Sequence, residues 1–217
     1  MTFSGNSFAK WTLKEEFTIE KRLSLSMRIK THRSTASLMF ATGDVDYSIL
    51  EVVFSLNRKH YVIQHEYHKH CLLIIMICFQ IYNGMIQYKF NYGSGAGLVM
   101  IPIHVDDGQW HTINVERNDK HAELTLDNKY TNMAIAPGNS RVLNLLNNDV
   151  YFGADISINY NGYPEVRRGF DGCMEDIQLF SIVLPLKGQN AVVKSQEFQQ
   201  VEFHCKNTLS PPMGSSE

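Results

Sequence analysis

The stretch Asp106–Asp127, DDGQWHTINVERNDKHAELTLD, constrains this chain more than any other. Asp107-Gly108 marks a turn, because glycine takes up positive φ without steric cost. From His111 onward the side chains alternate: His111, Ile113 and Val115 share one face, and Thr112, Asn114 and Glu116 the other. Arg117-Asn118-Asp119-Lys120 reads as a polar break, after which Ala122, Leu124 and Leu126 alternate with Glu123, Thr125 and Asp127. A period of two on both sides of a short polar turn specifies an antiparallel hairpin with one buried face. A helix would need apolar residues three and four apart, and they are absent here.

The same period recurs along the chain. Leu23, Leu25, Met27 and Ile29 alternate with Ser24, Ser26, Arg28 and Lys30, and Ile86, Tyr88 and Phe90 with Gln87 and Lys89. Phe3–Trp11 reads as a first edge strand, and Ala36–Thr42, Tyr47–Glu51, Leu98–Ile103, Val150–Gly153 and Gly169–Phe180 as further strands. Gly93, Gly95 and Gly97 read as a loop. Many short strands between turn residues predict an all-β, antiparallel β-sandwich. At 217 residues and 44% apolar content, the chain can fill one sizeable core. A net charge of −2 is close to neutral and does not suggest a nucleic-acid partner, which would want a clustered basic surface. MTFSGNSFAK lacks the apolar stretch of a signal peptide, so a secreted parent would carry its signal upstream. The four cysteines, Cys71, Cys78, Cys173 and Cys205, do not by their number fix a redox compartment. Asn207–Glu217, with Pro211-Pro212 and a Gly-Ser-Ser run, reads as a disordered tail.

Three blocks carry a family resemblance. Asp-Gly-x-Trp-His followed by the alternating hairpin and Ala-x-Leu-x-Leu-Asp resembles the laminin G domain. Ser24–Glu51, SLSMRIKTHRSTASLMFATGDVDYSILE, resembles that family's opening strands, and Gly169–Leu179, GFDGCMEDIQL, its closing block. DYSILE, NGMIQYKF and GSGAG are most similar to the laminin G domain of Fat-like atypical cadherins, several of which have Cys where Tyr92 stands. The resemblance covers most of Phe3–Cys205 and implies a jelly-roll, concanavalin A-like sandwich over residues 1–206. It implies a bridge between Cys173 and Cys205. It also implies an extracellular adhesion module of a membrane-anchored parent, binding a protein or glycan partner at a loop rim and not itself entering the membrane, with a lectin-like carbohydrate-binding module as the alternative and a glycan-cleaving enzyme as a remote one.

The family resemblance further implies calcium at that rim, held by Asp46, by a backbone carbonyl near Gly97, and by an amide for which Asn147 and Asn148 both qualify. Calcium takes several hard oxygen ligands, so a carboxylate, a carbonyl and an amide are suitable donors. The plainer alternative makes Asp44 and Asp46 ordinary turn residues.

Residues 52–80, VVFSLNRKHYVIQHEYHKHCLLIIMICFQ, break every pattern around them. Without these 29 residues Glu51 meets Ile81, giving YSILEIYNGMIQYKF, a strand–turn–strand closed by Asn83-Gly84. The segment reads as translated intron sequence: every Val codon begins GT, one Gln codon is CAG, and the Leu, Ile, Cys and Phe codons before Gln80 suit a pyrimidine-rich tract. His60, His65, His68, His70 and Cys71 are zinc-ligand types, but they miss the H-E-x-x-H spacing. Cys71–Phe79 falls far short of the ~20 apolar residues of a membrane span.

No enzyme is expected. A glycosidase needs two carboxylates flanking the scissile bond, and adjacent Glu175 and Asp176 are expected on opposite faces of a strand. His111 falls in line with Ile113 and Val115, the place of a structural histidine. Trp11 and Trp110 read as packing residues rather than sugar platforms, and Arg167-Arg168 as a solvated loop with heparin-like chains as the alternative.

Overall fold

The computed structural model describes residues 1–42, 47–53, 84–145, 148–153 and 169–205. Among the described residues fourteen strands run in the order β1 Thr2–Ser4, β2 Phe8–Leu13, β3 Arg22–Lys30, β4 Ala36–Thr42, β5 Tyr47–Val53, β6 Met85–Asn91, β7 Ala96–His104, β8 His111–Asn118, β9 His121–Leu126, β10 Tyr130–Ile135, β11 Asp149–Phe152, β12 Asp171–Leu179, β13 Ile182–Val183 and β14 Val193–Gln199. The only helical element among the described residues is a 3-10 turn at Glu15–Phe17.

The strands form two seven-stranded antiparallel sheets. The first has the order β1-β12-β3-β8-β9-β10, with β13 added to β12; the second runs β14-β2-β11-β4-β5-β6-β7. Leu23, Leu25, Met27, Ile29, Ile113, Val115, Leu124 and Leu126 supply the inner face of the first sheet. Trp11, Tyr88, Phe152 and Val99 face them from the second. Alternation of inward and outward residues on two facing sheets is what builds a sandwich core. Aromatic edges fill the middle: Trp11 meets Phe152 at 5.5 Å and Phe198 at 5.4 Å, both near perpendicular.

The expected all-β sandwich is therefore present, with local differences. The stretch Phe3–Trp11 is not one edge strand. It divides into β1, an edge of the first sheet paired with β12, and β2, which lies inside the second sheet between β14 and β11. Gly5, at φ +86°, lets the chain cross from one sheet to the other between them. Arg117 is no part of a polar turn. It closes the inward row His111, Ile113, Val115, Arg117 of β8, and the turn itself is only Asp119-Lys120, with Asn118 opposite His121. Gly97 belongs to β7 and not to a loop.

The closing edge of the sandwich is held covalently. Cys173 on β12 is joined to Cys205, a sequence separation of 32. Closing a loop of that size constrains the unfolded chain by about 3–4 kcal/mol. Thr2 pairs with Glu202 next to it, and the Thr2 hydroxyl donates to the His204 carbonyl at 2.6 Å.

Candidate functional site

Strand register brings the flanks of the three candidate calcium ligands to one rim of the second sheet. β5 begins at Tyr47, directly after the stretch that contains Asp46, and Tyr47 lies opposite Thr42 at the end of β4 and Asn91 at the end of β6. β7 begins beside the same point, with Ala96 opposite Asn91 and Gly97 opposite Phe90. β11 runs antiparallel to β4 with Tyr151 opposite Phe40, so its first residue, Asp149, falls at the Thr42 end. Asp46 and Asn147 themselves lie outside the described residues, as does Asp44; the strand ends that flank them meet there.

The described groups at this rim are tightly engaged. Asn91 Oδ1 accepts N–H bonds from Gly93 at 2.8 Å and Gly95 at 3.2 Å, which folds the β6–β7 turn back on the strand end. Asp149 Oδ1 accepts from the Thr12 hydroxyl at 2.6 Å, and the Asn148 carbonyl accepts from the Leu13 N–H at 2.7 Å. Gly97 is required by packing: a Cβ there would sit 2.6 Å from the Phe90 ring and 3.0 Å from the Ala136 nitrogen. The expected donors, a carboxylate, an amide oxygen and a carbonyl, are hard ligands of the kind calcium takes. Among the described residues, no three His, Cys, Asp or Glu side chains gather closely enough to hold a metal ion.

Two other clusters concentrate charge. His111 is buried, with Nδ1 2.9 Å from Asp127 Oδ2 and Nε2 3.1 Å from Asp107 Oδ1. Burial pulls its pKa down, but the two carboxylates outweigh burial and raise it above the ordinary value of 6.5. Burial pushes Asp107 up; the Gln109 N–H and the imidazole more than reverse this and hold it below its ordinary value. Asp127 Oδ1 also accepts from the Thr112 N–H at 2.8 Å. The imidazole thus clamps the Asp107 loop to the end of β9, a structural role, with no nucleophile in the clamp.

Arg117, at 2% exposure, is the functional-looking residue that sequence reasoning missed. Its Nε donates to the Tyr88 hydroxyl at 3.1 Å, and its Nη1 to the Tyr92 hydroxyl and the Glu20 carbonyl at 3.3 Å. Nη2 donates to the Ile19 carbonyl. Burial pushes the Tyr92 hydroxyl up despite the nearby guanidinium, so it stays protonated and donates onward to the Asp119 carbonyl. The cation therefore stitches β8 to β6 and to the chain entering β3. Tyr88 and Tyr92, spaced four apart around Phe90, were the only signal in the sequence, and it was a weak one.

Residues 75–182 match the family model described as "Laminin G domain". The chain is 33% identical over 213 aligned residues, 94% of its length, to the "Fat-like cadherin-related tumor suppressor homolog" of Drosophila melanogaster. It is 36% identical over 193 residues, 87% of its length, to human "Protocadherin Fat 1". This chain belongs to the laminin G family. It spans 4% of the length of each of those two relatives. Among solved structures, the mouse laminin alpha1 chain, domains LG4-5, aligns at a TM-score of 0.64 and 18% identity, covering 91% of this chain and 45% of that one. That likeness is one of fold.

On this laminin G scaffold the two acidic neighbours of β12 do not take opposite faces. A β-bulge between Glu175 and Gln178, with Asp176 at φ +52°, turns both toward Arg28. Arg28 Nη1 lies 2.6 Å from Glu175 Oε1 and 3.7 Å from Asp176 Oδ2, and its guanidinium stacks 5.1 Å over Trp110. Both carboxylates are thus engaged with one arginine rather than poised as an acid–base pair. Trp11 is fully buried, its indole N–H donating to the Pro185 carbonyl at 2.9 Å. His60, His65, His68, His70, Cys71, Cys78, Arg167, Arg168 and the tail 207–217 lie outside the described residues. No helix among the described residues is long and apolar enough to cross a membrane.

Proposed function

We propose that this laminin G domain is an extracellular binding module of a larger cell-surface adhesion protein. It engages a protein or glycan partner at the rim where β4, β5, β6, β7 and β11 meet. Asp46 supplies the carboxylate to a calcium ion there, the Gly97 carbonyl and the Asn147 amide supply two further oxygens, and water completes the shell. The observation that supports this reading is the register, which gathers the strand ends flanking all three donors at one rim. Membership of the laminin G family and the relatives named as cadherins support this choice of partner.

A single charged ligand places the expected affinity at the weak end for calcium modules, with Kd on the order of 0.1–1 mM. Calorimetric titration with calcium should show this binding in the native domain and its loss in Asp46→Ala, with the thermal transition of the metal-free protein unchanged. Heat of binding that survives Asp46→Ala would overturn the assignment of the rim. Retention on a glycan array would make the partner a sugar. Release of reducing sugar from a bound glycan would overturn the binding-module reading in favour of an enzyme.

A further inference from the structure

The ladder between β5 and β6 has the register of a hairpin closed by two residues. Its pairs run from Tyr47 opposite Asn91, through Glu51 opposite Gln87, to Val52 opposite Ile86 and Val53 opposite Met85. Between Val53 and Met85 lie residues 54–84, which number 31, so a two-residue turn would leave 29 over. Twenty-nine is also the length of the segment 52–80 that departs from the surrounding pattern. If those residues are removed, Ile81 takes the register position of Val52 and Tyr82 that of Val53. Asn83-Gly84 then becomes the turn.

Two observations on Gly84 point the same way. It already stands at φ +62°, the left-handed conformation that the second position of an Asn-Gly hairpin turn demands. It is also pinned in place: its carbonyl accepts from the Val105 N–H at 2.8 Å, its N–H donates to the Ser34 carbonyl at 3.3 Å, and the Asp106 carboxyl packs against its Cα, leaving no room for a side chain. Val-Val and Ile-Tyr are both strong strand formers, so either pair can end β5.

We infer that the sandwich is complete without residues 52–80, and that this segment is an in-register insertion at the β5–β6 hairpin tip. A chain lacking the insertion then keeps both sheets and the Cys173–Cys205 bridge. The point of insertion is also remote from the candidate calcium rim. β5 runs from the rim at Tyr47 to the tip at Val53, about 20 Å at the usual strand rise. The insertion therefore alters one end of the domain and leaves the other as it is. This inference does not depend on what the rim binds.

Three proteins test it: the full chain, a deletion of 52–80, and a deletion of 52–81 that leaves the connection one residue short. The first deletion should fold with unchanged far-ultraviolet circular dichroism. Its Cys173–Cys205 bridge should be intact by mass, and its Tm should rise by about 5 °C, because a short connection replaces a long one. Amide hydrogen exchange should show protection across residues 47–51 and 86–91 in both the full chain and this deletion. The second deletion should melt below the first, with exchange quickened next to the tip, because Glu51 can stay opposite Gln87 only across a connection one residue too short for the Asn-Gly turn. An unfolded or less stable 52–80 deletion would overturn the inference, and so would equal stability and protection in the two deletions.

Discussion

The β8–β9 and β5–β6 hairpins are built on the same antiparallel ladder and differ in how they are closed. β8 and β9 meet across Asp119-Lys120, with Asp119 in the left-handed region at φ +49°. β5 and β6 hold a register of the same kind across residues 54–84. A tight turn normally sets hairpin register, yet here the register spans a connection of 31 residues. It is fixed instead from the far side of β6. Ile86, Tyr88 and Phe90 point into the core, and β7 is locked to β6 by the absence of a side chain at Gly97 under the Phe90 ring. Burial can thus hold a pairing that the connection does little to impose, because closing a longer loop adds only about 0.6 kcal/mol per doubling of length.

The sharpest way to break the comparison is at Arg117, since this one side chain on β8 reaches Tyr88 on β6 and couples the two hairpins. Arg117→Ala should cost about 4 kcal/mol, because it leaves the Ile19 and Glu20 carbonyls and two tyrosine hydroxyls short of a donor in the interior. The midpoint of denaturant unfolding measures this, and a loss below about 1 kcal/mol would make the network incidental. Gly84→Ala comes next, at about 1–2 kcal/mol, from a left-handed backbone and the crowding carboxyl of Asp106. Because Gly84 closes the interrupted hairpin and not the short one, hydrogen exchange should quicken in β5 and β6 while β8 and β9 stay protected.

The smallest effect is one of pH and tests the closed hairpin alone. His111 is raised in the folded state by Asp127 and Asp107, so its contribution is full below about pH 6.5, the unfolded value, and is lost as pH rises through the folded value. Asp107 is held low, so its contribution is present above its ordinary value and fades as pH falls through the folded one. Stability measured by denaturant should therefore decline on the alkaline side of pH 6.5, and Asp127→Asn should flatten that decline while costing about 1 kcal/mol at pH 6. An unchanged slope in the variant would mean that the carboxylate does not hold the imidazolium.

Strands with one wet face and one dry face were legible through their alternation, and β4 and β6 were legible too although both their faces are buried. β3, β8 and β9 announce themselves through Leu23-Ile29, His111-Val115 and Ala122-Leu126. β10 and β14 give no such sign: at the sheet edges Tyr130–Ile135 is largely exposed, and Val193–Gln199 buries only its first residue. Arg117 was misread because a charged residue next to Asn and Asp is ordinarily turn chemistry; only the hydroxyls of Tyr88 and Tyr92 across the core make it an inward residue. The bulge that turns Glu175 and Asp176 to the same arginine has no glycine to advertise it at that point. Of the residues proposed for calcium, only Gly97 and the strand ends around Asp46 and Asn147 have a described place.

The bridge from Cys173 to Cys205 has a mechanical consequence. Tension applied between Met1 and Cys205 enters through β1 and leaves through a covalent bond directly into β12, the strand to which β1 is paired. Residues 174–204, with β13 and β14 among them, form a closed loop off the covalent line of force while the sulfurs stay oxidised, and are loaded only through their contacts with Met1 and β1. The first parts to yield would be the three residue pairs between β1 and β12 and the Thr2–Glu202 contact beside them, leaving the interior sheets at rest until those have unzipped.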